Sequence, residues 1–173
     1  MPEQSASPDR NAELQQHLKE MFNLARSGDA STLARLLALG VPANLRNEKG
    51  DTLLMLACYH GHIDAVRVLL EHGADTEIYN DNGQLPLAAA AFKDYREIAE
   101  LLLARGAAVD GAAPDGRTAL MMAAMFNRTG IVDLMLAHGA DPHARNAKGL
   151  NARELAASMG AQDTVAQLGA LGA

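Results

Sequence analysis

The chain has 173 residues, 49% of them hydrophobic but only 3% aromatic and none Trp, so a one-domain core must be built from Ala, Leu, Val and Met. Its 15 Lys and Arg against 21 Asp and Glu leave a formal charge of −6 and a pI near 5.4, the wrong sign for a protein that grips phosphate backbones. One Cys excludes an internal disulfide, no run of about 18 apolar residues offers a membrane span, and the N-terminus lacks the basic start and apolar stretch of a secretory signal.

Residues 1–10 are rich in Pro and Ser and are expected to form a disordered tail. From Asn11 the pattern turns helical: NAELQQHLKEMFNLA reads as one helix, TLARLLAL as a second, with Gly28 between them and Gly40 after. Thr52 is suited to cap a helix N-terminus, and Leu54, Leu56, Ala57 and Cys58 then gather toward one helical face. A turn at Gly61 leads into IDAVRVLLEHG, where Ala65, Val66, Val68, Leu69 and Leu70 form a broad stripe and Gly73 takes the C-terminal cap. The polar stretch ADTEIYNDNG closes on a turn signature, and the pattern begins again.

The recurrence is strict. Gly50, Gly83, Gly116 and Gly149 are 33 residues apart, as are Gly40, Gly73, Gly106 and Gly139. Gly28, Gly61, Asp94, Asn127 and Gly160 form a third series with the same step, all residue types that tolerate a left-handed backbone. Each unit is therefore helix, turn, helix and extended turn. The unit helices fall short of the roughly 12–15 residues that stand alone, so each must bury its face on the next unit.

This pattern resembles the ankyrin repeat. The matching residues are Gly50, Thr52, Leu54, Ala57, Gly61, His62, Val66, Leu69, Leu70, Gly73, Ala74 and Asp75, and in a later unit Gly116, Thr118, Leu120, Ala123, Ala124, Val132, Leu134, Leu136, Gly139, Ala140 and Asp141. The resemblance covers roughly residues 14–168 and implies an all-α solenoid of about five helix-turn-helix units with short β-hairpin-like connections, in a small free-standing protein of bacterial type. The expected division is a tail at 1–10 and one ankyrin-repeat domain at 11–173, with units at 11–46, 47–79, 80–112, 113–145 and 146–173. The slot filled by Val68, Leu101 and Leu134 holds Arg35 and Gln167 in the outer units, and the last unit is also polar at Arg153, Gln162 and Asp163, so these two units serve as caps. The family's motif His is replaced by Met55, Ala88, Met121 and Glu154, where apolar packing is expected to take over its role, and its motif Thr is lost at Leu85 and Asn151.

Chemistry-bearing residues read mostly as structural. Cys58 shares a slot with Ala91 and Ala124 and is expected to be a small, inert core residue. His60 and His62 form H-G-H, and His138 and His143 lie near Asp141, but no finger or zincin spacing is present, so no metal or other cofactor is expected. No G-x-S-x-G, Walker loop or dinucleotide fingerprint occurs, and Asp81 and Asp115 at the tips are expected to be solvated, so the chain is expected not to be an enzyme. Met55, Met121, Met122 and Met135 fill apolar slots, whereas Met125 and Met159 do not fit that account as well.

The resemblance implies a concave surface, made by the hairpin tips and first helices, that binds proteins. The two slots ending the first helices hold Tyr59 and His60, Phe92 and Lys93, Met125 and Phe126, then Ser158 and Met159, and two of the three Phe fall in this strip. Aromatics and Met favour interface centres, so Tyr59, Phe92, Met125 and Phe126 are the expected centre. The rim is expected to carry Tyr79 with Arg46, Lys49, Arg117, Arg145 and Lys148 against Glu48, Asp51, Asp81 and Asp115, a nearly neutral set. The expectation is a protein-binding module that inhibits, chaperones or recruits a partner protein, with no nucleic acid or membrane partner, and a cytoplasmic location or a periplasmic one if a leader has been removed. Alternatives are self-association through the strip, an accessory or protective enzyme subunit in stress response, and a metal- or ligand-binding protein using His60 and His62.

Overall fold

The computed structural model describes residues 8–172, in which ten α-helices follow one another: α1 (Pro8–Ser27), α2 (Ala30–Ala38), α3 (Leu53–His60), α4 (Ile63–Glu71), α5 (Pro86–Lys93), α6 (Arg96–Ala104), α7 (Ala119–Met125), α8 (Thr129–Ala137), α9 (Ala152–Ser158) and α10 (Gln162–Gly169). The odd-numbered helices pack one on the next in series, and the even-numbered helices form a second row against them. The apolar core runs between the rows, from Met21 and Phe22 through Leu54, Val66, Leu102 and Ile131 to Leu168. The fold is an all-α ankyrin solenoid. Helix α1 starts at Pro8, three residues before the expected unit boundary, with Pro in the first turn where its missing N–H costs nothing; the remainder of the expected tail, residues 1–7, lies outside the described residues.

The helices after α1 are only seven to nine residues long, so their stability comes from packing across repeats. All three 33-residue series adopt positive φ, including the non-glycine members Asp94 at 63° and Asn127 at 58°. Gly28 is needed for a second reason: a Cβ there would stand 2.5 Å from the His62 ring that folds over it. His62 Nε2 lies 2.7 Å from the Arg26 carbonyl, and Arg128, two units later in the same slot, donates from Nε to the Phe92 carbonyl at 3.3 Å. Two different side chains thus tie a turn to the preceding repeat in the same way.

Where the sequence departs from the motif, local chemistry differs by site. Thr52 and Thr118 accept hydrogen bonds from the Met55 and Met121 amides and cap α3 and α7. Leu85 provides no such cap, but Pro86 follows as the first helical residue and removes one orphan N–H. Asn151 restores the cap of α9 in a reciprocal box with Glu154. Met55 and Met121 are 2% and 1% exposed and fill the core in place of the motif His. Apolar replacement does not extend to Glu154, whose carboxylate receives the Asn151 amide and the Arg145 guanidinium.

The hairpin tips hold together by side-chain and backbone bonds. Asn47, Asn80 and Asn146 each accept two backbone N–H groups across their own tip through Oδ1. Neighbouring tips are joined by the Asp81 amide donating to the Lys49 carbonyl at 3.0 Å and the Ala147 amide to the Asp115 carbonyl at 2.8 Å. The third tip differs: Ala113 stands in the Asn slot, and Pro114, in the register of the joining amide, has no N–H to give.

Candidate functional site

The candidate strip side chains sit where the first helices end, the rim residues on the hairpin tips, and the strict period brings these ends into register. Tyr59 at the end of α3 and Phe92 at the end of α5 stack with ring centroids 6.4 Å apart and planes 22° apart. Phe126, the residue closing α7, meets Phe92 edge to face at 4.6 Å. Lys93 Nζ lies 4.6 Å from the Tyr59 ring centroid, in cation–π contact. Tyr59, Phe92, Met125 and Phe126 are all half-buried, so the rings cover one another in part and present a self-packed ladder with one side open. His60 is exposed, edge-on to Tyr59 at 5.4 Å and parallel to His62 at 6.4 Å. Met159 continues the strip in the last unit at 53% exposure.

Most rim charges engage one another or the hairpins. Asp51 is half-buried and accepts from Asn47 at 3.2 Å and Asn80 at 2.7 Å, so its carboxylate joins two hairpins. Asp81 lies 3.7 Å from Arg46, which also donates to the Gly50 and Tyr79 carbonyls. Arg117 pairs with Asp115, and Arg145 with Glu154 at 3.1 Å. Lys49, Lys93 and Lys148 have no carboxylate within 4 Å among the described residues. Tyr79 is 47% exposed beside Arg46.

Sequence reasoning placed the strip but missed its continuation onto the first unit. A groove of about 410 Å³ runs between α1 and the first hairpin tip, and its walls include Lys19, Arg26, Lys49 and the edge of Phe22. Arg26 stands 33 residues before Tyr59, so extending the 33-residue step one unit back was the signal that could have placed it in the strip. The imidazole of His60 is held below the ordinary histidine range, first by partial burial and then by the positive fields of His62, Arg26 and Lys93.

The remaining chemistry-bearing residues are structural in their contacts. Cys58 is fully buried, which pushes its thiol well above the usual range. His72 and His138 each direct Nδ1 to a carbonyl four residues back, of Val68 and Leu134, at 2.9 Å. Among the described residues no three His, Cys, Asp or Glu side chains gather in a metal-binding group, and no helix is long and apolar enough to cross a membrane.

Comparison with known proteins agrees with the repeat pattern. Residues 21–112 match a model of ankyrin repeats, and residues 115–147 match a single ankyrin repeat. A putative ankyrin repeat protein of Pseudomonas aeruginosa is 52% identical over 64 residues, 37% of each chain. Ankyrin repeat domain-containing protein 63 of Homo sapiens and of Mus musculus is 53% identical over 36 residues, 21% of this chain and 10% and 9% of those proteins. The matched segments thus span well under half of each relative.

Proposed function

The chain belongs to the ankyrin repeat family, whose repeats are general protein-interaction modules, and on that premise we propose that it is a non-catalytic binding protein holding a partner protein on the face shared by its first helices and hairpin tips. The observation that carries this reading is the ring ladder Tyr59–Phe92–Phe126, which joins three successive repeats along one side of the array. Aromatic side chains that are already ordered lose little rotamer freedom on binding, so the contact area they offer costs little to organise. Tyr59, Phe92, Met125 and Phe126 form the centre; His60, Lys93, Tyr79, Met159, Arg46, Arg117 and Arg145 surround it. Holding a partner in this way serves to inhibit, chaperone or recruit it.

The test is affinity capture from native lysate with the wild type and a Tyr59→Ala/Phe92→Ala/Phe126→Ala variant, after circular dichroism shows that the variant folds. A stoichiometric protein retained by the wild type and lost by the variant supports the reading. Equal retention by both moves the binding site off the strip.

A further inference from the structure

We propose that the end of this face formed by α1, the first hairpin tip and the end of α3 docks an acidic, extended segment of the partner protein, with an apolar side chain of that segment resting on the Tyr59–Phe92–Phe126 rings. The inference rests on the function proposed above and names the chemistry of what is held.

Three observations carry it. The groove of about 410 Å³ has Leu18 and Phe22 at its base and Lys19, Arg26 and Lys49 along its sides, with Glu48 the one carboxylate residue lining it. None of those three cations has a carboxylate within 4 Å among the described residues, and neither does Lys93, which lies over the Tyr59 ring of the ladder. This concentration occurs in a chain of net charge −6, so it is a matter of placement: Asp64 on α4, Glu97 on α6 and Asp133 on α8 are exposed on the second row with no cation within 4 Å among the described residues, while Glu71 and Glu100 there pair with Arg105 and Arg96. Amides of Gln15 and Asn23, also in the groove, offer partners to the backbone of an extended peptide. A short acidic segment suits the groove better than a nucleic acid, because the groove's unpaired cations cover only a short stretch and the chain as a whole carries a charge of −6, which disfavours a long polyanion.

The test is fluorescence anisotropy on the full chain with a labelled peptide of alternating Glu and Ser around one Leu, its Gln-for-Glu counterpart, and a single-stranded RNA oligonucleotide. Expected is binding of the Glu peptide but not the Gln peptide, weakened about tenfold between roughly 50 and 500 mM salt. Lys19→Glu/Lys49→Glu should weaken it by a further factor of about ten or more with an unchanged melting temperature, and Lys19→Gln/Lys49→Gln by less. Equal binding of the two peptides, indifference to the Lys variants, or tighter binding of the RNA overturns the proposal. Failure here with continued loss of the captured partner in the triple aromatic variant removes the acidic segment and leaves the strip. Charge-dependent peptide binding with the partner retained by the aromatic variant removes the strip and leaves the groove.

Discussion

Phe92 and Phe126 meet edge to face with centroids 4.6 Å apart although their slots are not equivalent: Phe126 occupies the slot of Lys93, one residue past that of Phe92. The contact therefore bridges two tracks of the repeat, and it sets the third ring across the ladder where Tyr59 and Phe92 lie nearly parallel. Edge-to-face pairs contribute about 0.5–1.5 kcal/mol beyond area burial. A double-mutant cycle on Phe92→Leu and Phe126→Leu, read by urea denaturation, should return a coupling of that size, and a coupling near zero would show that the rings are placed by their own repeats alone.

The two left-handed residues that are not glycine should respond oppositely to replacement. Asp94 at φ 63° has no side-chain hydrogen bond among the described residues, so Asp94→Gly should raise stability by about 0.5–1 kcal/mol, the relief of backbone strain exceeding the added unfolded-state entropy. Asn127 at φ 58° also accepts from the Thr164 amide at 3.1 Å and donates to Asp163 at 2.7 Å, tying the last unit to its neighbour. Asn127→Gly should destabilise by about 1 kcal/mol despite the same relief of strain. Thermal melts of the two variants check both signs.

The third hairpin offers a stabilising substitution. Asn80 sits 4% exposed in the slot that Ala113 fills, and through Oδ1 it accepts the Asn82 and Gln84 amides. Ala113→Asn should supply the equivalent bond to the residue 115 amide, the Arg117 amide already donating to Asp115 Oδ1 at 3.1 Å, and raise stability by about 0.5–1 kcal/mol. Loss of stability in denaturant titration would mean that the Asp115–Arg117 pair already occupies that space.

Cys58 should be silent to thiol reagents until the protein unfolds, since burial both shields it and holds its thiol protonated. Its labelling rate should track urea-induced unfolding, and labelling that keeps pace with a free peptide in native buffer would overturn this. Cys58→Ser should cost about 1–3 kcal/mol for a buried hydroxyl without a partner, more than Cys58→Ala in a slot where Ala91 and Ala124 already fit.

His60 provides a pH reading of the strip. Its folded pKa lies below the ordinary histidine range, so on acidification the unfolded chain takes up the proton first, and stability falls as pH drops through that range. Lys93→Met removes one of the positive neighbours and should move the His60 titration upward in NMR spectra, with a shallower loss of stability on acidification. Unchanged titration would assign the shift to burial, its largest cause, together with Arg26 and His62.

Sequence alone determined the period, the turns and the fold. Those features are local: a residue type that accepts positive φ every 33 positions, a capping Thr before α3 and α7, and an apolar stripe that must find another. Periodicity also placed Tyr59, Phe92, Met125 and Phe126 in one strip, because equal slots in a one-dimensional stack lie above one another. It did not show that the rings would half-bury themselves, nor that Phe126 would reach across from the neighbouring track. Only the tertiary structure decided the electrostatics. Asp51 counts as a rim charge in sequence, yet it spans two hairpins through Asn47 and Asn80, while Lys19 and Arg26 of the first unit extend the same face without a carboxylate partner among the described residues. The physical reason is that a backbone turn is specified by its own residues, whereas the field of a charge depends on which side chains of other repeats come within a few ångströms of it.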